Sequence, residues 1–179
     1  TSAGNVGIGT TGPAGRLDIV GSQNFTAMTA PGALTVGTPT AGGSCTAGTH
    51  SYKVTFTSVG SGETTGGTTS GQITCVLTTG QTVPLSAIPT GPGGTTGRKI
   101  YRTVAGDTGS YLLLTTIVDN TTTTYSDTTA DGSLGAAAPA SNTTAVANLQ
   151  TGGTTRMVID NSGNVGIGEV APGAKLSVS

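Results

Sequence analysis

Few residues in this chain could carry chemistry. There are eight carboxylates (Asp18, Glu63, Asp107, Asp119, Asp127, Asp131, Asp160 and Glu169), one histidine (His50) and two cysteines (Cys45 and Cys75). Cleaving a glycosidic bond needs two carboxyl groups facing each other across a sugar groove, whereas most of these carboxylates stand beside Gly, Thr, Ser or Asn, as turn and cap residues do. With no Trp and four Tyr, the chain also lacks broad aromatic platforms for sugar stacking. Asp119-Asn120 with Asp127 and Asp131 could gather oxygen ligands for Ca²⁺, but their spacing matches no calcium loop, and turn-capping is the stronger reading. His50 has no Cys or second His at a metal-ligand spacing and is expected to open a strand in a structural or exposed role.

Arg98, Lys99 and Arg102 are the densest positive patch. On a strand they alternate faces, which suggests a solvated edge. Gly91-Pro92-Gly93-Gly94-Thr95-Thr96-Gly97 superficially resembles a phosphate loop, but no Lys-Ser/Thr pair and no helix follow, so a flexible connection is expected. The sequence therefore offers no catalytic, metal-binding or cofactor-binding constellation, and a non-enzymatic role is the expectation.

The elements that must position these residues are strands. Of 179 residues, 34% are hydrophobic and 8% charged, too little apolar material for one thick core but enough for thin β layers. Thirty-one glycines and abundant threonine penalise helix and suit short strands joined by tight turns. An all-β fold follows. The net charge of −1, with no basic cluster interleaved with aromatics, argues against a nucleic-acid partner. The longest aliphatic run, Leu112 to Leu114, is far short of a membrane span, so no membrane insertion is expected. No signal-peptide pattern opens the chain, and a start at Thr1 without Met suggests a piece of a longer protein or a processed product.

A repeat organises the two ends. Gly4-Asn5-Val6-Gly7-Ile8-Gly9 recurs as Gly163-Asn164-Val165-Gly166-Ile167-Gly168; with no gap, Pro13 falls on Pro172, Arg16 on Lys175, Leu17 on Leu176 and Ile19 on Val178. The second copy predicts a meander of three short strands: 156–160, a turn at Asn161-Ser162-Gly163, then 164–168, a loop, and 175–178. In the first copy Thr1 to Gly4 match the turn, so the leading strand is absent. Val165 and Ile167 alternate with Gly166 and Gly168, giving one apolar face and one bare face suited to close approach of another backbone. So small a meander needs a further layer to be stable.

The run Arg156-Met157-Val158-Ile159-Asp160-Asn161-Ser162-Gly163-Asn164-Val165-Gly166-Ile167-Gly168, with Pro172 and Lys175-Leu176, resembles the stem motif of bacteriophage tail fibres and tailspikes. The resemblance implies intertwined trimeric β-prism or β-helix-like stems. The loop Glu169-Val170-Ala171 departs from Thr10-Thr11-Gly12 of the first copy.

Between the ends the pattern changes to longer alternating strands. Tyr52, Val54 and Phe56 share one face, with Ser51, Lys53, Thr55 and Thr57 on the other; Ile73, Cys75 and Leu77 mark a further strand, followed by Val83 with Leu85, Ile100 with Tyr101, the run 111–118 and Tyr125. Turn signals at 60–62, 90–94, 106–109 and 119–120 separate them. Ser51-Tyr52-Lys53-Val54, Arg98-Lys99-Ile100-Tyr101-Arg102 and Thr123-Thr124-Tyr125-Ser126-Asp127 are similar to strands of fibronectin type III and immunoglobulin-like domains of phage tail proteins. The organisation implied is an N-terminal β stem over 1–32, an immunoglobulin-like β-sandwich over 33–137, and a linker with a C-terminal β stem over 138–179.

What the resemblance implies is a homotrimer located in a virion tail or outside the cell, serving as a fibre shaft that supports host attachment. Val6, Ile8, Leu17 and Ile19 at one end, and Met157, Ile159, Val165, Ile167, Leu176 and Val178 at the other, are then the candidate trimer core. Two rival readings are a glycan- or receptor-binding module using the loops 60–71 and 90–97 on a host surface, and a bacterial extracellular filament or adhesin. Cys45 and Cys75 bracket the strand of Tyr52 to Phe56, so they could become neighbours. In oxidising surroundings a disulfide is expected, the alternative being two small buried apolar residues.

Overall fold

The computed structural model describes residues 6–8, 10–12, 14–15, 17–19, 26–58, 61–76, 80–144, 147–151, 154–160, 162–170 and 172–179. The protein is all-β, with several sheets, none of them closed. The first strands, β1 (Val6–Ile8) and β2 (Leu17–Ile19), pair in parallel. A middle unit follows, with β3 (Thr35–Val36), β4 (Thr40–Cys45), β5 (Gly48–His50), β6 (Tyr52–Ser58), β7 (Ile73–Cys75), β8 (Gln81–Ser86), β9 (Thr95–Val104), β10 (Thr108–Ile117) and β11 (Tyr125–Asp127). The chain ends in β12 (Ala147–Thr151), β13 (Thr154–Ile159), β14 (Val165–Ile167) and β15 (Leu176–Val178). Leu77, expected on a strand, lies outside the described residues, and β7 stops at Cys75.

In the middle unit β10, β9 and β6 form an antiparallel sheet with β9 at its centre. A second sheet runs β11–β8–β3, with β4 also paired to β8. One buried cluster draws on both. Tyr52 and Val54 of β6, Ile100 of β9 and Ile117 of β10 meet Val83 and Leu85 of β8, closed off by Leu34, Ile88 and the two cysteines. The alternation of Tyr52, Val54 and Phe56 supplies one inward face of β6. Its other face is only partly solvated, for Ser51 and Thr55 are fully buried while Lys53 and Thr57 are half-buried. The 62–70 segment runs along the outer edge of β6, its amides at Thr64, Gly67 and Ser70 donating to the carbonyls of Phe56, Val54 and Tyr52 at 2.9 Å each. It turns the Glu63 carboxylate onto this face, where Thr55 and Tyr101 donate to it. On the far side, residues 135–138 pair with β10 through Leu113 and Tyr111. Both outer edges of this sheet are thus hydrogen-bonded.

Their place on the central strand overturns the expectation that Arg98, Lys99 and Arg102 solvate an edge, for Arg98 and Arg102 share the inward face with Ile100. They lie on the central strand, and Arg98 and Arg102 are fully buried. Arg102 directs Nη1 to Asp127 Oδ2 at 2.5 Å and to the Thr129 carbonyl at 2.9 Å, and Nη2 to Asp131 Oδ1 at 2.7 Å. Tyr52 donates its hydroxyl to the same Asp127 oxygen at 2.9 Å. Burial first, and then the Asp127 carboxylate, push that phenol above its ordinary range, so it stays a donor. Arg98 reaches Asp119 Oδ1 with Nη2 at 2.8 Å and the Asp119 carbonyl with Nε at 3.1 Å. Lys99 pairs with Glu63 Oε2 at 2.6 Å. Alternation told the faces apart; it could not tell that the strand was central or that its arginines faced the second sheet.

Cys45 of β4 and Cys75 of β7 are joined by a disulfide, with a Cα separation of 6.2 Å across 30 residues of sequence. The bond ties the strand that pairs with β8 to the one that pairs with β5.

Two outcomes follow for stability. Replacing both cysteines by alanine should lower the free energy of unfolding by about 3 to 4 kcal/mol, the chain-entropy value for a loop of this length, measured by denaturant titration. Asp127→Ala leaves the Arg102 guanidinium buried against one carboxylate fewer and should cost about 3 to 5 kcal/mol, while Asp119→Ala, whose carboxylate is partly exposed, should cost clearly less.

Candidate assembly interface

The C-terminal sheet has the order β12–β13–β14–β15, with β12–β13 and β13–β14 antiparallel. It is not the expected three-strand meander. The chain returns after Ile167 and lays β15 parallel to β14, with Val165 opposite Leu176, Gly166 opposite Ser177 and Ile167 opposite Val178. β12 adds a fourth strand that the repeat did not indicate, because it has no counterpart in the repeated motif. In the first copy Val6 faces Leu17, Gly7 faces Asp18 and Ile8 faces Ile19. The two copies therefore share one pairing, register for register.

The turn joining β13 to β14 is held by Asp160, whose Oδ1 accepts from the amides of Ser162 and Asn164 at 2.8 Å each. Its other oxygen accepts from the Asn164 side chain at 3.0 Å. Gly163, at φ 72°, supplies the left-handed residue. The Asn164 amide above all holds the Asp160 carboxyl below its ordinary range. Asn161 of the expected turn lies outside the described residues.

The two faces of this sheet differ. Val158 is fully buried on one of them, opposite Gly166. A Cβ on Gly166 would come within 2.6 Å of the Glu169 carbonyl oxygen and 3.0 Å of Val158 Cγ1. The chain's own backbone at Glu169 thus closely approaches the bare glycine face at Gly166. A Cβ on Gly168, at φ 76°, would likewise come within 2.7 Å of the Ser179 carbonyl oxygen. Gly9 lies outside the described residues.

The opposite face collects Leu149, Met157, Ile159, Val165, Ile167, Leu176 and Val178. Met157 and Val165 are half-buried, and the other five are exposed, from 37% at Ile159 to 69% at Val178. Val6, Ile8 and Leu17 are each more than half exposed on the equivalent strands, while the side chain of Ile19 lies outside the described residues. A contiguous apolar face of this kind marks a surface built to be covered.

His50, both cysteines and most of the remaining carboxylates are in the middle unit, whereas Asp18 lies on β2 and Glu169 follows β14. His50 closes β5 rather than opening a strand, and it is fully buried. Its Nδ1 lies 3.0 Å from the Thr103 carbonyl and its Nε2 2.7 Å from that of Thr46. The pairing of Gly48 with Cys75 brings potential ligand atoms of Cys45, His50 and Cys75 within 4.8 Å of one another, a proximity invisible in the spacing. Both sulfurs are bonded to each other, so neither is a thiolate ligand in this state. Ser51 donates to Asp107, which also accepts from Thr103 at 3.0 Å and Gln72 at 2.5 Å. The Ser51 hydroxyl is thus committed to a carboxylate, and both imidazole nitrogens face carbonyl oxygens instead.

The carboxylates considered for Ca²⁺ are divided between two arginines. Asp119 belongs to Arg98 and caps the amides of Thr121 and Thr122, both at 2.8 Å, while Asp127 and Asp131 belong to Arg102. The glycine-rich 91–97 segment is a hydrogen-bonded turn leading into β9, with Gly91 pinned by the Asn120 side chain at 2.7 and 2.9 Å.

These features define an all-β chain in which two equivalent strand pairs, apolar on an open face, lie on either side in sequence of a unit cross-linked by ion pairs and a disulfide. No protein-family description, curated protein or solved structure matches it.

The carboxylates of Asp107, Asp119 and Asp160 are all held below their ordinary range, chiefly by the Ser51 hydroxyl, the Thr122 amide and the Asn164 amide respectively. The unfolded chain binds protons before the folded one, so their contribution is complete above about pH 4 and lost as the pH falls through the lower folded values. Thermal melts between pH 7 and pH 2 should show a flat midpoint down to about pH 4 and then a decline; a midpoint unchanged to pH 2 contradicts this.

Proposed function

We propose that this chain is a structural segment of a homotrimeric extracellular fibre, of the kind found in phage tail fibres and tailspikes, supporting attachment to a host. The observation that carries this reading is the open apolar face repeated at both ends. Three copies placed around an axis would cover it, and the candidate core residues Val6, Ile8, Leu17, Ile19, Met157, Ile159, Val165, Ile167, Leu176 and Val178 would supply a common interior. At about 1.5 to 3 kcal/mol per fully buried aliphatic side chain, complete burial has an upper bound of roughly 15 to 30 kcal/mol per chain, reduced by the burial already present. Gly166 and Gly168 let the chain's own backbone at Glu169 and Ser179 close over the far face, which leaves the apolar side as the open one.

In this reading the middle unit is an immunoglobulin-like sandwich that thickens or projects from the shaft. The function is mechanical and requires no cofactor or catalysis. Three chains sharing one interior resist unfolding and proteolysis, because no strand leaves without exposing its neighbours. The shaft holds a receptor-binding tip away from the particle.

Sedimentation velocity of the chain should give three copies per particle. Ile167→Asp combined with Leu176→Asp should yield monomers whose middle unit still melts cooperatively. A wild-type protein that stays monomeric at tens of micromolar, roughly the range in which weak interfaces still associate, would falsify the proposal.

A further inference from the structure

Four cations stand in the middle unit, and three have a carboxylate partner: Arg98 with Asp119, Lys99 with Glu63, and Arg102 with Asp127 and Asp131. Lys53 has none among the described residues. Its ammonium lies instead over the ring of Tyr111, 4.6 Å from the centroid. The ring is fixed at its far end, where the hydroxyl sits 2.9 Å from Ser51 Oγ and 3.3 Å from Thr69 Oγ1. Gly66 makes room for the lysine stem, since a Cβ there would come within 3.0 Å of Lys53 Cδ. Cation and ring are thereby arranged in advance, and a cation on an aromatic face keeps its charge available to a further anion.

The pair lines an open groove of about 310 Å³, with Thr65, Gly66 and Ser110 contributing hydroxyls and backbone, and the 137–140 segment contributing small apolar groups. This volume is at the lower limit of small-molecule sites. An extended peptide cannot add to the sheet here, because the 62–70 segment occupies the outer edge of β6 and residues 135–138 that of β10. What fits is a compact ligand bearing one negative charge, several hydroxyls and an apolar C–H face.

We propose that this groove binds an acidic saccharide, its carboxylate on Lys53, its hydroxyls on Thr65 and Ser110, and its C–H face against Ala138 and Pro139. The ammonium supplies a charge-assisted hydrogen bond that no neutral sugar can claim. The site is complete within one chain and does not depend on trimer formation.

The test is a titration of the ¹⁵N-labelled full chain with glucuronic acid, N-acetylneuraminic acid and galactose. Either acidic sugar should shift the amides of Gly66, Ser110, Tyr111 and Ala138 saturably, and galactose should bind roughly tenfold more weakly, as expected for the loss of one charge-assisted contact. Lys53→Gln, a change at the surface, should weaken the acidic sugars by a similar factor while Lys175→Gln leaves them unchanged. No response to either acidic sugar overturns the proposal. So does an equal response to acetate, retained affinity in Lys53→Gln, or tighter binding of an acidic peptide.

Discussion

The middle unit is organised around a guanidinium that has no access to water. Arg102 sits on the central strand of one sheet, and its partners are Asp127 on the last strand of the other sheet and Asp131 in the short 3-10 turn Asp131–Ser133 beyond it. Tyr52, from a neighbouring strand, completes the set through Asp127. A buried charge without a partner is costly, so arrangements of the sheets that separate these groups are disfavoured. The apolar cluster beside it is made largely of medium-sized side chains and would tolerate several packings. In a chain with so few large apolar residues, the ion pair supplies the register that a bigger core would otherwise impose.

The same scarcity explains the disulfide and the covered sheet edges. Each fastens backbone that apolar burial alone would hold weakly. The 62–70 segment is an example: Glu63, within it, accepts from Thr55 at 2.7 Å, Tyr101 at 2.6 Å and Lys99 at 2.6 Å. Burial, followed by that carboxylate, pushes the Tyr101 phenol above its ordinary range and preserves it as a donor. One acid thus fixes the outer face of two strands.

Much of the strand content was legible in the sequence, because period-two alternation at Tyr52, Val54 and Phe56, and at Val83 and Leu85, is a local property. The equivalence of the two ends was legible too, since similar residues at identical spacing form equivalent pairs. The direction of the last strand was not. A short loop after a strand suggests reversal, and nothing in residues 168–175 announces that β15 will run parallel to β14. The charges were misjudged for a related reason. Arg98 and Arg102 are followed by their acidic partners only 21 to 29 residues later, a distance bridged by strand order alone. The groove at Lys53 could not be foreseen either, because Thr65, Tyr111 and Pro139 are neighbours only after both sheet edges are covered.

The places where the chain joins the middle unit lie side by side. The Met28 amide donates to Thr144 Oγ1 and the Met28 carbonyl accepts from the Asn142 side chain, each at 2.7 Å. Tension applied along the chain from both sides would load these two bonds before any strand of the main sheets. Further in, it encounters Thr143 bonded to Glu63 and Thr68 bonded to Pro31. Even a fully pulled chain cannot pay out its whole contour, because the Cys45–Cys75 bond withholds a 30-residue loop, on the order of 100 Å of extension.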